Sequence, residues 1–196
     1  MISGDTYKKV KSQILQKLET GLSKDLYYHG IHHTLDVLKE AERIAKKENT
    51  INNEDLLLLK IACLYHDSGF LVIYKGHEEE GCKMAREELP AFQFSDQQIN
   101  IICGGIMATK IPQTPLNKLE EIICDADLDY LGRPDFFPIS DTLFKEMKDR
   151  GWLTDEKDWN KKQIAFFKSH HYFTETNKNL RGPEKQRHLE MIKAMI

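Results

Sequence analysis

The feature that most constrains the fold is an apolar segment that ends in a histidine and an aspartate. Residues 54–65 read Glu-Asp-Leu-Leu-Leu-Leu-Lys-Ile-Ala-Cys-Leu-Tyr, and His66 and Asp67 follow directly. A helix that is apolar on nearly every side is buried among other helices. Two polar groups at its end would lose their hydration, so hydrogen bonds or a metal ion must compensate for that cost. The segment therefore predicts a central helix with either a capped end or a metal site at His66-Asp67.

Helical periodicity extends along nearly the whole chain, and the alternation typical of strands is scarce. The predicted helices are residues 5–21, a segment ending at Asn49, a segment capped by Asn52 or Asn53, residues 77–89, a segment starting at the capping box of Ser95 and Gln98, and residues 116–131, 140–150, 155–172 and 182–196. No repeat, low-complexity tract or linker divides the 196 residues. We therefore predict an all-α fold, a single-domain helical bundle over residues 1–196.

Composition and charge argue against several classes of protein. The formal net charge is −3, so an extended nucleic-acid-binding surface is not expected. The first residues lack the pattern of a signal peptide, and no apolar run is long enough to cross a bilayer. The four cysteines lack CxxC spacing, which favours reduced, buried thiols over disulfides or a zinc finger. We expect a soluble cytoplasmic protein, and the sequence leaves open whether it forms a homodimer.

Three histidines lie within five residues of one another in residues 28–37: His29, His32 and His33. In a helix, His33 shares a stripe with Val37 and therefore faces the core. His29 lies four residues earlier, near the same face if the first turn is helical. A hydrogen-bonded core imidazole is the alternative interpretation for a histidine on an apolar stripe.

A third segment, residues 122–131, is an apolar helix that carries aspartates at alternate positions. This alternation puts Asp125, Asp127 and Asp129 on different faces of the helix, so all three cannot bind one ion. A solvated acidic face is the alternative, but it would leave the surrounding isoleucines and leucines with little protected surface.

Together, three predicted helices offer two imidazoles and two carboxylates as donors. A mixed nitrogen and oxygen set suits Mn, Fe, Ni, Co, Zn or Mg and discriminates poorly among them. A bound divalent ion lowers the pKa of its water toward about 7, which supplies a nucleophile at neutral pH. The residues therefore indicate a divalent metal ion as cofactor and hydrolysis as its chemistry.

The spacing of His33, the pair His66-Asp67 and Asp127 resembles that of the HD-domain metal-dependent phosphohydrolase superfamily, over most of the chain. The resemblance implies an all-α bundle of the HD-domain type and the hydrolysis of phosphate esters, often of nucleotides. It also implies that these four residues are the metal ligands. An alignment shifted by two positions would make Asp125 the last ligand in place of Asp127.

The segment around His29 is similar to one in cyclic-nucleotide phosphodiesterases, and this match makes His29 a proton donor and His33 a metal ligand. Relatives with more metals carry further histidines after the His-Asp pair. In this chain only His77 and, one turn later, Glu80 are available. We expect one tightly bound metal and a weaker second site near Asp67, His77 and Glu80. An acid-rich helix N-terminus is the alternative for the segment at His77.

Phosphate recognition requires cations or backbone donors. Lys110 follows Thr109 at the predicted end of the fifth helix, and Arg133 lies six residues after Asp127. Ordinary charges at a helix end are the alternative for both. The expected substrate-binding residues are Thr109, Lys110, Tyr130 and Arg133. The expected catalytic residues are His29, Asp67 and Lys110.

The predicted function is hydrolysis of a small phosphate ester by a metal-activated water, with a nucleotide or cyclic nucleotide as the expected substrate. Released phosphate or nucleoside monophosphate would identify such a phosphomonoesterase or phosphodiesterase. The alternative is a metal-containing module that binds a nucleotide as a sensor, without turnover.

Overall fold

The computed structural model describes residues 3–196, and this part of the chain contains helices and turns but no strand. The helices are α1 (Gly4–Gly21), α2 (Ile31–Glu48), α3 (Asn53–Tyr65), α4 (His77–Glu88), α5 (Asp96–Ala108), α6 (Lys118–Asp127), α7 (Phe136–Asp149), α8 (Glu156–Ser169), α9 (Glu175–Leu180) and α10 (Gly182–Lys193). The all-α prediction is confirmed. None of the helices within residues 3–196 has the length and apolarity that spanning a membrane requires.

Helix α3 lies at the centre of the bundle, as its sequence predicts. Its cap is Asn52, whose side chain accepts hydrogen bonds from the backbone N–H groups of Glu54 and Asp55, both at 2.9 Å. The helix packs against α1, α2, α5 and α6. Four of its aliphatic side chains are at most 1% exposed: Leu58, Leu59, Ile61 and Leu64. Each side chain of this size contributes about 2 kcal/mol when buried, so α3 anchors the fold.

Several helix boundaries differ from the predicted ones. The predicted helix 116–131 is divided, because α6 begins after the cap at Asn117 and a 3-10 turn, Asp129–Gly132, follows it. Helix α7 starts four residues earlier than predicted, with Pro138 in its first turn, where a missing N–H costs little. The short helix α9, capped by Thr174, was not predicted.

Two groups of buried apolar side chains form the core. The first belongs to α1–α6 and includes the whole apolar surface of α3. The second joins Tyr28 to the 3-10 turn after α6 and to helices α7, α8 and α10. The side chains described next lie where these two groups meet.

Gly69 allows a close contact that places two predicted site residues side by side. It lies in the 3-10 turn Ser68–Leu71, which follows Asp67 and packs against the start of α4. A Cβ atom at this position would lie 1.9 Å from the backbone oxygen of His77. Only glycine permits this approach, and it brings His77 next to Asp67.

Candidate active site

Three helices bring the four predicted metal ligands together. His33 is in the first turn of α2, His66 and Asp67 directly follow α3, and Asp127 ends α6. His33 Nε2 lies 3.1 Å from Asp127 Oδ1 and 3.4 Å from His66 Nε2. Asp67 Oδ2 lies 3.3 Å from His66 Nε2 and 3.5 Å from His33 Nε2. One ligand atom each from His33, His66 and Asp127 lies within 4.8 Å of the other two.

These separations fit donors that surround one divalent ion. Donors about 2.1 Å from an ion, at angles between tetrahedral and octahedral values, lie roughly 3.0–3.4 Å from one another. Asp67 Oδ2 is buried and accepts no hydrogen bond from any residue in the described range 3–196. An unpartnered buried carboxylate oxygen is costly, and a cation would remove that cost. The donor set therefore fits a divalent ion held by His33, His66, Asp67 and Asp127.

Neighbouring groups orient two of these ligands. His66 Nδ1 lies 2.8 Å from the backbone oxygen of Cys63 and donates its proton there, so Nε2 is the nitrogen that faces the cluster. The side chain of Gln113 donates to the backbone oxygen of Cys124 at 3.1 Å and reaches Asp127 Oδ2 at 3.5 Å. The loop that carries Gln113 thus helps to fix the last ligand, a role that no sequence motif indicates.

The cluster is electrostatically suited to a cation. Burial lowers the pKa of His66, but the carboxylates of Asp67 and Asp127 outweigh it and raise this pKa to about 9. Burial raises the pKa of Asp67, but His66 and His77 outweigh it and hold this pKa well below its usual range. Asp67 is therefore charged, and an imidazole proton neutralises part of that charge. A divalent ion has to displace this proton when it binds.

The aspartates on either side of Asp127 face other parts of the molecule. Asp125 accepts hydrogen bonds from the backbone of Phe173 at 2.8 Å and from the hydroxyl of Thr174 at 2.6 Å. Asp129 is paired with Arg43 at 2.7 Å and is also held by Arg181. As the alternation predicted, the three carboxylates do not share one site. The structure places Asp127, and not Asp125, at the cluster.

A buried glutamate holds the ring of His29. Glu146 on α7 is 0% exposed, and its Oε1 lies 2.5 Å from His29 Nδ1. The hydroxyl of Tyr74 donates to the same oxygen at 2.6 Å, and the backbone N–H of Tyr28 donates to Oε2 at 2.9 Å. Burial raises the pKa of Glu146, but these hydrogen bonds lower it to about 2. His29 therefore presents its other nitrogen, Nε2, for chemistry.

Sequence analysis missed Glu146, which lies 117 residues from His29. The one available signal was a glutamate at the apolar stripe of α7, which includes Phe136, Ile139 and Leu143. Such a glutamate has to find a hydrogen-bond partner, but the sequence does not say which.

Comparison with known protein families settles the classification. The family model described as HD domain matches residues 30–129, which is just over half of the chain and includes all four clustered ligands. The chain belongs to the HD-domain family. This family consists of metal-dependent hydrolases whose domains bind divalent metals, so the coarse expectations of a hydrolase and of a metal cofactor are supported.

Two solved structures share the HD-domain fold with this chain. A predicted HD superfamily hydrolase from an uncultured Thermotogales bacterium is 21% identical, with a TM-score of 0.63, and the match covers 94% of this chain and 90% of that one. A structural genomics target from Lactobacillus plantarum is 18% identical, with a TM-score of 0.69, and the match covers 100% of this chain and 98% of that one. No curated protein matches the chain.

Of the two residues proposed for a second metal, the structure places only one beside Asp67. His77 Nε2 lies 3.4 Å from Asp67 Oδ1, and His77 Nδ1 lies 3.0 Å from the backbone oxygen of Tyr74. Glu80 is paired with Lys83 at 3.1 Å. The acid next to His77 that lines the site cavity is Glu78, in the first turn of α4. The prediction for Glu80 is therefore corrected.

The two predicted phosphate-binding cations also lie elsewhere. Lys110 is exposed and forms an ion pair with Glu79. The guanidinium of Arg133 is held by Asp36 at 2.7 Å and by Asp135 at 2.9 Å, because the 3-10 turn before it redirects the chain. Neither residue lines the cavity at the HD-domain site, so nearness in sequence was misleading. The other two predicted substrate-binding residues do line it: Thr109 and Tyr130.

A cavity of about 460 Å³ extends from the metal-binding residues toward helices α7 and α8. At one end it is lined by Asp67, Asp127, His29 and His77. Beyond them the walls are mainly apolar and aromatic, with side chains from both helices: Phe136, Leu143, Met147, Trp159, Phe166 and Phe167. The volume is typical of a site for a small molecule.

Proposed function

We propose that this HD domain hydrolyses a phosphate ester with a divalent ion held by His33, His66, Asp67 and Asp127. The observation that carries this proposal is the convergence of four donor side chains, of which Asp67 Oδ2 is buried and accepts no hydrogen bond from residues 3–196. When bound, the ion would supply Lewis-acid activation of water and of a phosphoryl oxygen. The donor set suits Mn, Fe, Ni, Co, Zn or Mg and does not select one of them.

The chain's own groups would position the reactants and move a proton. Asp67 and Asp127 hold negative charge at the cluster and balance the charge of the ion. The carboxylate of Glu146 accepts the Nδ1 proton of His29 and stabilises the imidazolium. This form carries a second proton at Nε2, which His29 can donate to the oxygen of the leaving group. His29 acts in this proposal as the general acid.

The expected substrate is a small phosphate ester, with nucleotides and cyclic nucleotides among those to be tested. Four free, buried cysteines are consistent with a reducing compartment, and we propose the cytoplasm. Phosphomonoester and phosphodiester substrates would be separated by the products that they release.

Replacing His66 or Asp67 with alanine tests the proposal. The protein would be stripped with a chelator, reloaded with each candidate ion, and assayed for metal content and for the release of phosphate or nucleoside monophosphate. We expect both variants to lose bound metal and to show a fall of at least about 100-fold in kcat/KM. A residue that binds the ion directly contributes more than the residues that only hydrogen-bond to the ligands. Unchanged metal content and activity in either variant would contradict the assignment.

His32→Ala is the matched control, because His32 is an exposed histidine next to His33 in sequence. This variant should keep both metal and activity. Parallel losses in His32→Ala would indicate a general effect of histidine removal rather than loss of a ligand.

A nucleotide sensor without turnover is the second candidate function. The observation that favours it is the engagement of both Lys110 and Arg133 with other carboxylates, which leaves fewer cations for a transition state. A sensor would bind a nucleotide and gain thermal stability, without product release under any metal. Product release that depends on the added ion would exclude a sensor without turnover.

A further inference from the structure

The cavity beside the proposed metal site is polar at the end near the ligands and apolar at the other end. We infer that the organic part of the substrate is an uncharged, hydrophobic group, so that the enzyme cleaves the phosphate ester of an apolar alcohol. This inference rests on the proposed function and adds the substrate class to it. Three independent features of the cavity carry it: its walls, its few free polar atoms and its charge.

The walls away from the metal-binding residues are built from large apolar side chains. Phe136 and Phe167 are 1% and 4% exposed and belong to the second core group, which fixes their positions. Trp159 is 9% exposed and completes the same surface with Met147 and Phe166. An apolar group that enters this space leaves water, and the apolar walls lose their own contact with water. This part of the cavity therefore favours hydrophobic ligands.

Two polar side chains in the walls, Thr109 and Gln163, already have partners. The hydroxyl of Thr109 donates to the backbone oxygen of Ile106 at 2.8 Å. The amide of Gln163 accepts from the hydroxyl of Ser140 at 2.7 Å and donates to Asn160 at 3.0 Å. A sugar or a nucleobase would bring several polar groups into this space and leave them unsatisfied.

Tyr28 and Tyr130 also line the cavity, and their ring centroids lie 5.5 Å apart. A buried donor without a partner remains at Trp159 Nε1, as far as residues 3–196 show. Among the uncharged groups of the walls, the hydroxyls of these two tyrosines and the Trp159 N–H therefore remain to hydrogen-bond to an organic group.

The charges around the cavity disfavour polyanionic substrates. Three carboxylates line it: Asp67, Asp127 and Glu78. Among the described residues, Lys162 is the single lysine or arginine in its walls, and this side chain is exposed to solvent. One divalent ion and this lysine just balance the three carboxylates. A single phosphate group adds the least negative charge to this balance, whereas a triphosphate would add far more, and nothing in the walls would neutralise it.

Hydrolysis of matched esters by the metal-loaded protein tests the inference. Benzyl phosphate and octyl phosphate would be compared with glycerol 1-phosphate and adenosine 5′-monophosphate, all of which are esters of primary alcohols. This choice keeps the reactivity of the leaving group similar, so kcat/KM reports recognition of the organic part. We expect the two apolar esters to exceed both polar esters by at least about 10-fold, mostly through a lower KM.

Met147→Gln places an amide in the apolar wall with little change in size. We expect it to raise KM for benzyl phosphate by about 10-fold and so to reduce the preference for this ester over glycerol 1-phosphate, while metal content stays the same. Met191→Gln is the control, because Met191 is 39% exposed on α10 and does not line the cavity. This control should behave as the wild-type protein does. An unchanged preference in Met147→Gln would show that the wall does not select the substrate.

Binding provides a readout that does not depend on turnover. Calorimetry with benzylphosphonate and methylphosphonate, which cannot be hydrolysed, should show at least about 10-fold tighter binding of the benzyl compound, with a negative heat-capacity change. If no ester is cleaved with any metal, the proposed function fails, and this binding ratio still decides the inference. If polar esters are preferred, or the two phosphonates bind equally, the inference is wrong and the proposed function stands.

Discussion

At the scale of single residues, Glu146 is the side chain whose role is defined most closely by its contacts. It is fully buried, and it accepts hydrogen bonds from the His29 ring, the Tyr74 hydroxyl and the Tyr28 backbone. Its carboxylate both orients the proposed general acid and depends on these donors for its own stability. A substitution here should therefore affect catalysis and the pH dependence of folding together.

Glu146→Gln keeps the shape of the side chain but removes its charge. We expect kcat to fall by about 100-fold, because a neutral amide does not stabilise the imidazolium of His29. Metal content should stay at the wild-type level, because Glu146 does not touch the ligands. Steady-state kinetics and elemental analysis together check this outcome. Loss of the metal in this variant would contradict a specific role beside His29, because it would show that Glu146 maintains the structure of the metal site.

In the same variant, the free energy of unfolding should depend less on pH below about pH 4.5. The pKa of Glu146 is lowered from 4.5 to about 2 in the folded protein, so its carboxylate stabilises the fold fully above about pH 4.5. That contribution is lost as the pH falls toward about 2. Urea unfolding between pH 4.5 and 3 should therefore show a smaller loss of stability in Glu146→Gln than in the wild-type protein. Glu19→Gln, at an exposed position, should follow the wild-type profile.

The sequence predicted which four side chains the fold brings together, but it did not predict their hydrogen-bond partners. His33, His66, Asp67 and Asp127 form a recognisable spacing, because each must face one ion from a fixed helix position. Their hydrogen-bond partners obey no such spacing. Lys110, Arg133 and Glu80 do not line the cavity for a related reason: closeness in sequence does not determine side-chain direction after a turn.

At the scale of secondary-structure elements, the 3-10 turn after Asp67 controls the relation of α3 to α4. Its Gly69 lies against the backbone of His77, where a Cβ atom would come within 1.9 Å of an oxygen. Because the obstacle is backbone, no side-chain rotation can relieve the contact. The turn and α4 would have to move apart.

Gly69→Ala should therefore destabilise the protein by about 1–3 kcal/mol, the usual cost of overpacking, and displace His77 from Asp67. Urea denaturation measures the free energy of unfolding. Gly182→Ala is the matched control, because a Cβ atom there has no atom within 4 Å. Equal stabilities of the two variants would contradict the close contact at Gly69.

Element prediction succeeded where the local signal was strong. Helix α3 is apolar all round, and α5 begins at a complete capping box of Ser95 and Gln98, so both were predicted from sequence. The predicted helix 116–131 was too long because apolar periodicity continues through the 3-10 turn that follows α6. Helix α9 has six residues, too few for a periodic pattern to stand out.

At the scale of the whole molecule, the site lies where two core groups meet. Helices α2, α3 and α6 supply the ligands, whereas α7 and α8 supply the apolar walls of the cavity. The family pattern ends at residue 129 and so includes the ligands but not these walls. Motifs could therefore predict the metal-dependent hydrolase family. The chemistry of the cavity depends on how two later helices pack, which no motif encodes.

The most direct test of the central claim is anomalous diffraction from crystals of the protein reconstituted with Mn²⁺. The account predicts one strong anomalous peak about 2.1 Å from His33 Nε2, His66 Nε2, Asp67 Oδ2 and Asp127 Oδ1. Absence of a peak at this position in protein that retains manganese, or a peak held by other side chains, would contradict the account.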